Sequence, residues 1–318
     1  MWCRLAWLVV LAALLVAGRV ASAQTIEQQL GLWEQTHAGV SYQGSFVYER
    51  KGVFSTHQVW HRGGQDGSYQ ERFLRLNGTP FEVLREDGRL RCMTRLHDAG
   101  PVVSNQSALP LRQFDVERIR KGYRIELLGE SRVADRVAAA VLFAPRDVHR
   151  YPLEVHFDMD TGVVLKSLLL NEQGELLERF QFVHFAPGEV ERIHLEPQHC
   201  QNMEPAAQSA AEPAVGWQEG WLPEGYDPVG NGQLYGPDGL SSHLYSDGLS
   251  YFSIFIEPVD GVGPEIEHRQ MGPTAVISRP LNGDDGLRMV TVLGEIPAAT
   301  AQRIALSVSL AQGESPHD

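Results

Sequence analysis

From Ser41 onward, apolar and polar residues alternate with a period of two, and short turn signals interrupt the alternation. The runs SFVYERKG, STHQVWHRG, SYQERFLRLNG, PFEVLREDG and RLRCMTR read as strands divided by Gly, Asn-Gly and Asp-Gly turns. Residues 97–122 break the pattern with Pro101 and Pro110, and FDVERIRKG there reads as a helical turn. Strands then resume as YRIELLGE, RVAAAVLFAP, YPLEVHFDMD, GVVLKSLLL and ELLERFQFVHF. In the third of these, Leu153, Val155, Phe157 and Met159 alternate with Glu154, His156, Asp158 and Asp160, which predicts one buried and one wet face. The connections DMDTG and NEQG are short enough for hairpins. Residues 41–185 are therefore expected to form a large antiparallel meander, curled into an unclosed barrel with covering helices. Ahead of it, Ile26, Leu30, Trp33 and His37 recur at spacings of three and four, predicting a short helix over 24–39.

The alternation fades after Pro187. Residues 187–216 are rich in Pro, Ala, Glu and Gln and read as a linker. A second unit, 217–312, carries SSHLYS, LSYFSIFIE, TAVISRP and GLRMVTVLGE as strands, with IPAATAQRIALSVSL as a closing helix. Pro297 stands where a first helical turn tolerates proline. Residues 313–318 are a tail. The expected class is α+β, mainly antiparallel β, with a large domain over 24–186 and a smaller C-terminal one.

Within HLYSDGLSYFSIFIEP, Asp247-Gly248 between two strand-like runs predicts a two-residue hairpin turn. Ser246 would then face Leu249, Tyr245 would face Ser250, and Leu244 would face Tyr251. Phe252, Ile254 and Ile256 share one face; Leu244, Tyr251 and Phe255 share the other. Both faces are largely apolar, so one enters a core and the other needs a cover, either the large domain or another protein. Ser246 lacks a neighbouring base in the sequence, so the turn reading outweighs a catalytic one.

The first residues change the address of the chain. Arg4, the apolar run Leu5–Ala17 and Ala21-Ser22-Ala23 form an export leader over 1–23, too short in its apolar part to span a bilayer. Its removal takes two arginines and no acid, so the formal charge of −13 becomes −15. Such an acidic surface speaks against nucleic acid and against attachment to anionic lipid through a basic patch. Two cysteines remain, Cys92 and Cys200. In an oxidising compartment they form either one disulfide or two separate thiols.

Candidate chemistry is sparse. His57 and His61 sit four apart, but on a strand that places them about 13 Å from each other, too far for one ion. Asp158 and Asp160 lack the further ligands of a calcium loop. No nucleophile elbow, Walker loop or dinucleotide fingerprint occurs. No metal, cofactor or catalytic residue is assigned.

YQGSFVYERKGVFSTHQVWHR, GESRVADR, LKSLLLNEQGELLERFQF, LYSDGLSYFSIFIEP and VTVLGEIPAATAQRIA carry a further reading. In these segments and their order, the chain resembles the MucB/RseB family, nearest its MucB branch. These are periplasmic negative regulators of sigma-E-type envelope-stress sigma factors. The resemblance implies a lipoprotein-carrier-like large domain around a hydrophobic cavity. It implies a small domain that binds the periplasmic part of a membrane anti-sigma factor of the MucA/RseA kind and shields it from site-1 proteolysis. Lipid or lipopolysaccharide in the large domain would release it. Phe46, Tyr48, Phe73, Val155, Phe157, Phe180 and Phe182 are the strand residues that would line the cavity, with ordinary core packing as the alternative for each. Tyr245, Tyr251 and Phe255 are the candidates for the partner surface, with core packing as the weightier alternative for each. A lipid or lipoprotein carrier without regulatory role is the alternative function, and a homo-oligomer stays open.

Overall fold

The computed structural model describes residues 26, 29–31, 39–64, 66–94, 115–202, 216–229, 234–235, 240–259, 267–283 and 286–310. The leader, the Pro101–Pro110 stretch and much of the 24–39 segment, Trp33 and His37 included, lie outside these. Ile26 and Leu30 are helical and buried in the main core.

The large sheet has eleven antiparallel strands. One meander comprises β1 (Tyr42–Arg50), β2 (Val53–Gly63), β3 (Tyr69–Arg75), β4 (Glu82–Glu86) and β5 (Arg89–Met93). The other comprises β6 (Tyr123–Val133), β7 (Arg136–Pro145), β8 (Leu153–Asp158), β9 (Val164–Leu170) and β10 (Leu176–Pro187). Their first and last strands, β1 and β10, pair in the middle, so the sheet ends at β6 on one side. On the other it ends at the short β11 (Gln201–Asn202), beside β5. The ends do not pair, and the barrel is unclosed. Inward residues alternate along each strand: Phe46, Val59, Phe73, Val83, Val141, Val155 and Phe180 are at most 1% exposed. The Asp87-Gly88 turn has φ of 50° and 74°, the left-handed pair that a two-residue type I′ hairpin demands.

Three expectations need correction. Strand β8 stops at Asp158, and Met159 lies in the following turn, 45% exposed, rather than in the buried row. Nor is the opposite face of β8 wet: His156 and Asp158 are buried. Arg136 holds Asp158 through two hydrogen bonds of 2.6 and 2.9 Å, and Thr161 donates to it at 2.7 Å. A bidentate arginine satisfies a carboxylate well enough for water to be dispensed with.

The third concerns the supposed linker. Up to Asn202 it is a strap packed on the large sheet. Strand β10 runs on to Pro187, a 3₁₀ turn covers Arg192–Leu195, and Val190 and Leu195 are buried. Cys92 and Cys200 are joined by a disulfide across 5.5 Å between Cα atoms. Beside it lies the fully buried carboxylate of Glu82. It accepts hydrogen bonds from Arg72 Nε (2.6 Å) and from the backbone N–H groups of Gln198 (3.1 Å), His199 and Cys200 (3.0 Å). Proline and alanine content suggested a flexible tether, but one buried anion collects the strap's orphan donors.

The second sheet has seven strands. These are β13 (Asp227–Pro228), β14 (Leu234–Tyr235), β15 (Ser241–Ser246), β16 (Tyr251–Pro258), β17 (Glu267–Met271), β18 (Thr274–Gly283) and β19 (Gly286–Gly294). Two helices matter below: α1 (Val116–Gly122), which leads into β6, and α2 (Ala298–Ser307). Phe252, Ile254, Ile256, Val290 and Val292 on one sheet face pack with Ala301, Ile304 and Ala305 of α2 in a separate core. Helix α2 ends at Ser307. The chain continues as β20 (Val308–Leu310), which pairs with β12 (Trp217–Glu219) and so fastens the two ends of this unit together.

Candidate functional site

The β15–β16 hairpin is wider than a two-residue turn. Ser246 pairs with Tyr251, Tyr245 with Phe252 and Leu244 with Ser253, so the loop is 247–250 and the register lies two residues from the expected one. Only Gly248, at φ 95°, takes the left-handed region; Asp247 does not. The Asp247 carboxylate instead caps the loop, its Oδ1 accepting from the N–H of Leu249 (2.9 Å) and of Ser250 (2.8 Å). Ser246 Oγ accepts from the N–H of Gly248 at 3.0 Å, which is turn geometry and not that of a nucleophile.

All five residues of this polar tip, Ser246 to Ser250, are buried. The reason is that the tip docks in the large domain. Leu249 is 1% exposed and belongs to the large sheet's core, not to that of its own unit. A Cβ on Gly248 would stand 3.0 Å from Asp115 O and from Ile119 Cγ1, so only glycine admits helix α1 this close. Asp115 caps that helix through its side chain, accepting from the N–H of Arg118 at 3.0 Å.

Arg150 is the centre of the junction, its side chain fully buried. It reaches Asp247 Oδ2 at 3.3 Å and grips Asp147 with Nε (3.1 Å) and Nη2 (3.0 Å). It also donates to Glu224 O at 2.6 Å. Tyr123 donates to Asp247 Oδ2 at 3.1 Å. The guanidinium lies over the rings of Tyr123 and Tyr226, 5.4 and 5.0 Å from their centroids. Burial first, and then the Asp247 charge, push both tyrosine hydroxyls well above their ordinary range, so they stay protonated donors. Helix α1 must end in glycine here, because a Cβ on Gly122 would lie 1.6 Å from Arg150 Nη1. Around this centre, Lys121 meets Asp227 at 3.2 Å and His149 meets Thr300 at 3.1 Å. Arg50 donates to Thr274.

The seven residues assigned to a lipid cavity do share the inner face of the large sheet. Six of them are at most 2% exposed. Phe46 lies 4.9 Å from Phe180, 5.8 Å from Phe182 and 6.4 Å from Phe73, ring centre to ring centre. Phe180 and Phe182 are in turn 5.2 Å apart, so these four rings pack as one aromatic cluster. Tyr48 is half-buried and donates to Glu178 at 2.6 Å. His57 stacks on Phe46. Burial, helped by the Arg75 charge, lowers its pKa to about 4, so it is neutral at pH 7. A small cleft lies at the junction between Tyr151, Leu153 and Leu169 of one domain and Leu249 and Glu295 of the other.

The three partner-surface candidates separate. Tyr245 is 0% exposed and stacked on Phe252, so it belongs to the core and presents nothing to a partner. The corrected register leaves its face unchanged, and that face turns towards α2. Tyr251 and Phe255 lie on the opposite face with Leu244, Val276 and Leu293, all half-buried. This second face lies opposite the one that α2 packs against.

The described residues show no cluster of metal-ligating side chains. His61 pairs with Glu71 at 3.1 Å, far from any role with His57. Sequence reading missed a chain from Ser131 Oγ to His156 Nδ1 (2.6 Å) and from His156 Nε2 to Glu154 (2.7 Å). Its serine stands on strand β6, not on the sharp turn that exposes a nucleophile, and the chain ties β6 to β8 across the intervening β7 instead.

Comparison with known proteins adds the following. Residues 25–206 match the MucB/RseB N-terminal domain and residues 211–309 the MucB/RseB C-terminal domain. The sigma factor AlgU regulatory protein MucB of Pseudomonas aeruginosa is 44% identical over 273 residues, 84% of this chain and 85% of that protein. The sigma-E factor regulatory protein RseB of Escherichia coli is 26% identical over 304 residues, 92% of each. Among solved structures, MucB in complex with MucA(peri) is 41% identical and superposes with a TM-score of 0.73, over 89% of this chain and 98% of that one. MucB alone gives 0.69 at 39% identity, over 91% and 98%.

Proposed function

The chain belongs to the MucB/RseB family, and on that premise we propose that it is a periplasmic regulator that binds the periplasmic domain of a MucA/RseA-like membrane anti-sigma factor. Bound there, it shields the anti-sigma factor from site-1 proteolysis and keeps the envelope-stress sigma factor inactive. A lipid or lipopolysaccharide taken up by the large domain releases it. The domains divide this work: the partner is held by the unit that begins at Trp217, and the ligand by the sheet before it.

The observation that carries the partner half is the whole-length likeness to a MucB captured with MucA(peri). The half-buried face of the small sheet that carries Tyr251 and Phe255 is the surface this reading assigns to the contact. A half-buried apolar row beside polar residues suits a regulated contact better than a permanent one. A carrier without regulatory role would need only the large sheet, and would leave the second unit without a task.

The test is a protease-protection assay. The periplasmic segment of the anti-sigma factor is exposed to its site-1 protease with the protein present, with and without lipopolysaccharide. Protection that lipopolysaccharide abolishes is the expected result. Cleavage at the same rate with and without the protein sinks the reading.

A further inference from the structure

The tip Ser246–Ser250 has a composition suited to two environments. Three of its five side chains, those of Ser246, Asp247 and Ser250, carry polar groups that water would satisfy, yet the whole tip is buried. Leu249 alone offers aliphatic surface, and it sits in the large domain's core. The cleft beside it has space on the order of one water molecule and is walled by Tyr151, Leu153 and Leu169. Leu249 thus occupies an aliphatic site of the large domain with a side chain that the small domain supplies.

The charges are arranged so that the tip can leave. Breaking a buried ion pair is costly chiefly because it strands a charge. Here Arg150 keeps both bonds to Asp147 when Asp247 departs, and Asp247 moves into water. Neither side is left with an unpaired buried ion.

We propose that the tip is a displaceable plug. An aliphatic acyl chain entering the inner face of the large sheet takes the place of Leu249, parts Asp247 from Arg150 and Tyr123, and undocks the small domain from α1. Ligand and tip compete for one site, so occupancy by one lowers the affinity of the other. This rests on the reading above, in which a lipid acts on the large domain, and supplies the step between that site and the partner surface. Strand β16 starts at Tyr251, next to the tip, so undocking alters the setting of the face that carries Tyr251 and Phe255.

The test uses the exported full chain with Leu249→Cys. Cys92 and Cys200 are paired, so the new thiol is the one that reacts with maleimide. The docked tip reacts slowly. Oleate, used as the probe, raises the rate by about tenfold or more, and Asp247→Asn in the same background raises it without oleate. Backbone amide exchange over 246–251 in the unsubstituted protein, with and without oleate, gives the same comparison without touching Leu249. Oleate bound by native mass spectrometry with both readouts unchanged overturns the plug, as does failure of oleate to bind. Partner release by lipopolysaccharide with a protected tip overturns the plug and leaves the proposed function standing. A tip that opens with oleate while the partner stays bound supports the plug and removes release by lipid from the proposed function.

Discussion

Glu82→Gln tests whether one carboxylate fastens the 187–202 strap. Glu82 is 0% exposed and Arg72 2%, with 2.6 Å between Oε1 and Nε. The substitution keeps size and one acceptor oxygen. It removes the charge that faces Arg72 and turns an NH₂ group toward backbone donors at 198–200. Losing one partner of a buried pair costs about 3–5 kcal/mol. Arg72 retains the carbonyl of His194 at 2.9 Å and the face of Trp60 at 4.9 Å, which argues for the lower half of that range. We expect a loss of about 3–4 kcal/mol, large against a typical stability of roughly 5–15 kcal/mol. The assay is urea unfolding without reductant, read by tryptophan fluorescence, together with amide exchange at Gln198, His199 and Cys200. Arg72→Met with Glu82→Gln should recover part of the loss, since no charge is then stranded. A loss under about 1 kcal/mol, or undiminished protection at 198–200, refutes the reasoning. Acid dependence gives a second check. Burial would raise the Glu82 pKa, but the His199 N–H, Arg72 and the Gln198 N–H outweigh it and hold it below 4.5. A carboxylate lowered by folding contributes stability above its unfolded pKa and loses it as pH falls through the folded one. The acid limb of the stability curve should therefore be shallower in Glu82→Gln.

Further outcomes follow from other sites. Reduction of Cys92–Cys200, which spans 108 residues, should cost up to about 4.7 kcal/mol by the chain-entropy argument, seen as a lower urea midpoint with dithiothreitol. Gly122→Ala puts a methyl group into the Arg150 guanidinium and should destabilise by about 2 kcal/mol or more, whereas Gly174→Ala has open space and pays only for its φ of 80°. His57 is neutral when folded, with a pKa near 4 against 6.5, so its contribution is present above pH 6.5 and fades as pH falls towards 4; His57→Asn should flatten urea midpoints across that window. Phe255→Asp should weaken binding of the anti-sigma segment by about tenfold or more with an unchanged circular dichroism spectrum, and unchanged affinity would remove the Tyr251–Phe255 sheet face from the proposed function.

Periodicity by itself determined a great deal of this protein. A period of two fixes which side of a strand is buried, so the inward row from Phe46 to Phe182 and the faces of Phe252 and Tyr251 were readable residue by residue. The family was legible separately, as a resemblance carried by long segments in matching order. Three matters were decided by tertiary structure. The strap looked like a tether because its partner, Glu82, lies more than a hundred residues away and no local pattern encodes a buried anion. Tyr245 stood between partner surface and core because alternation tells which residues share a face but not which face α2 covers. Ser246-Asp247-Gly248 looked like a free hairpin turn. Its loop is wider, and its aspartate and leucine are spent on Arg150 and on another domain's core. A sequence specifies alternation and turns locally. Which polar group is buried depends on a charge brought alongside from far along the chain, and only the folded chain supplies that.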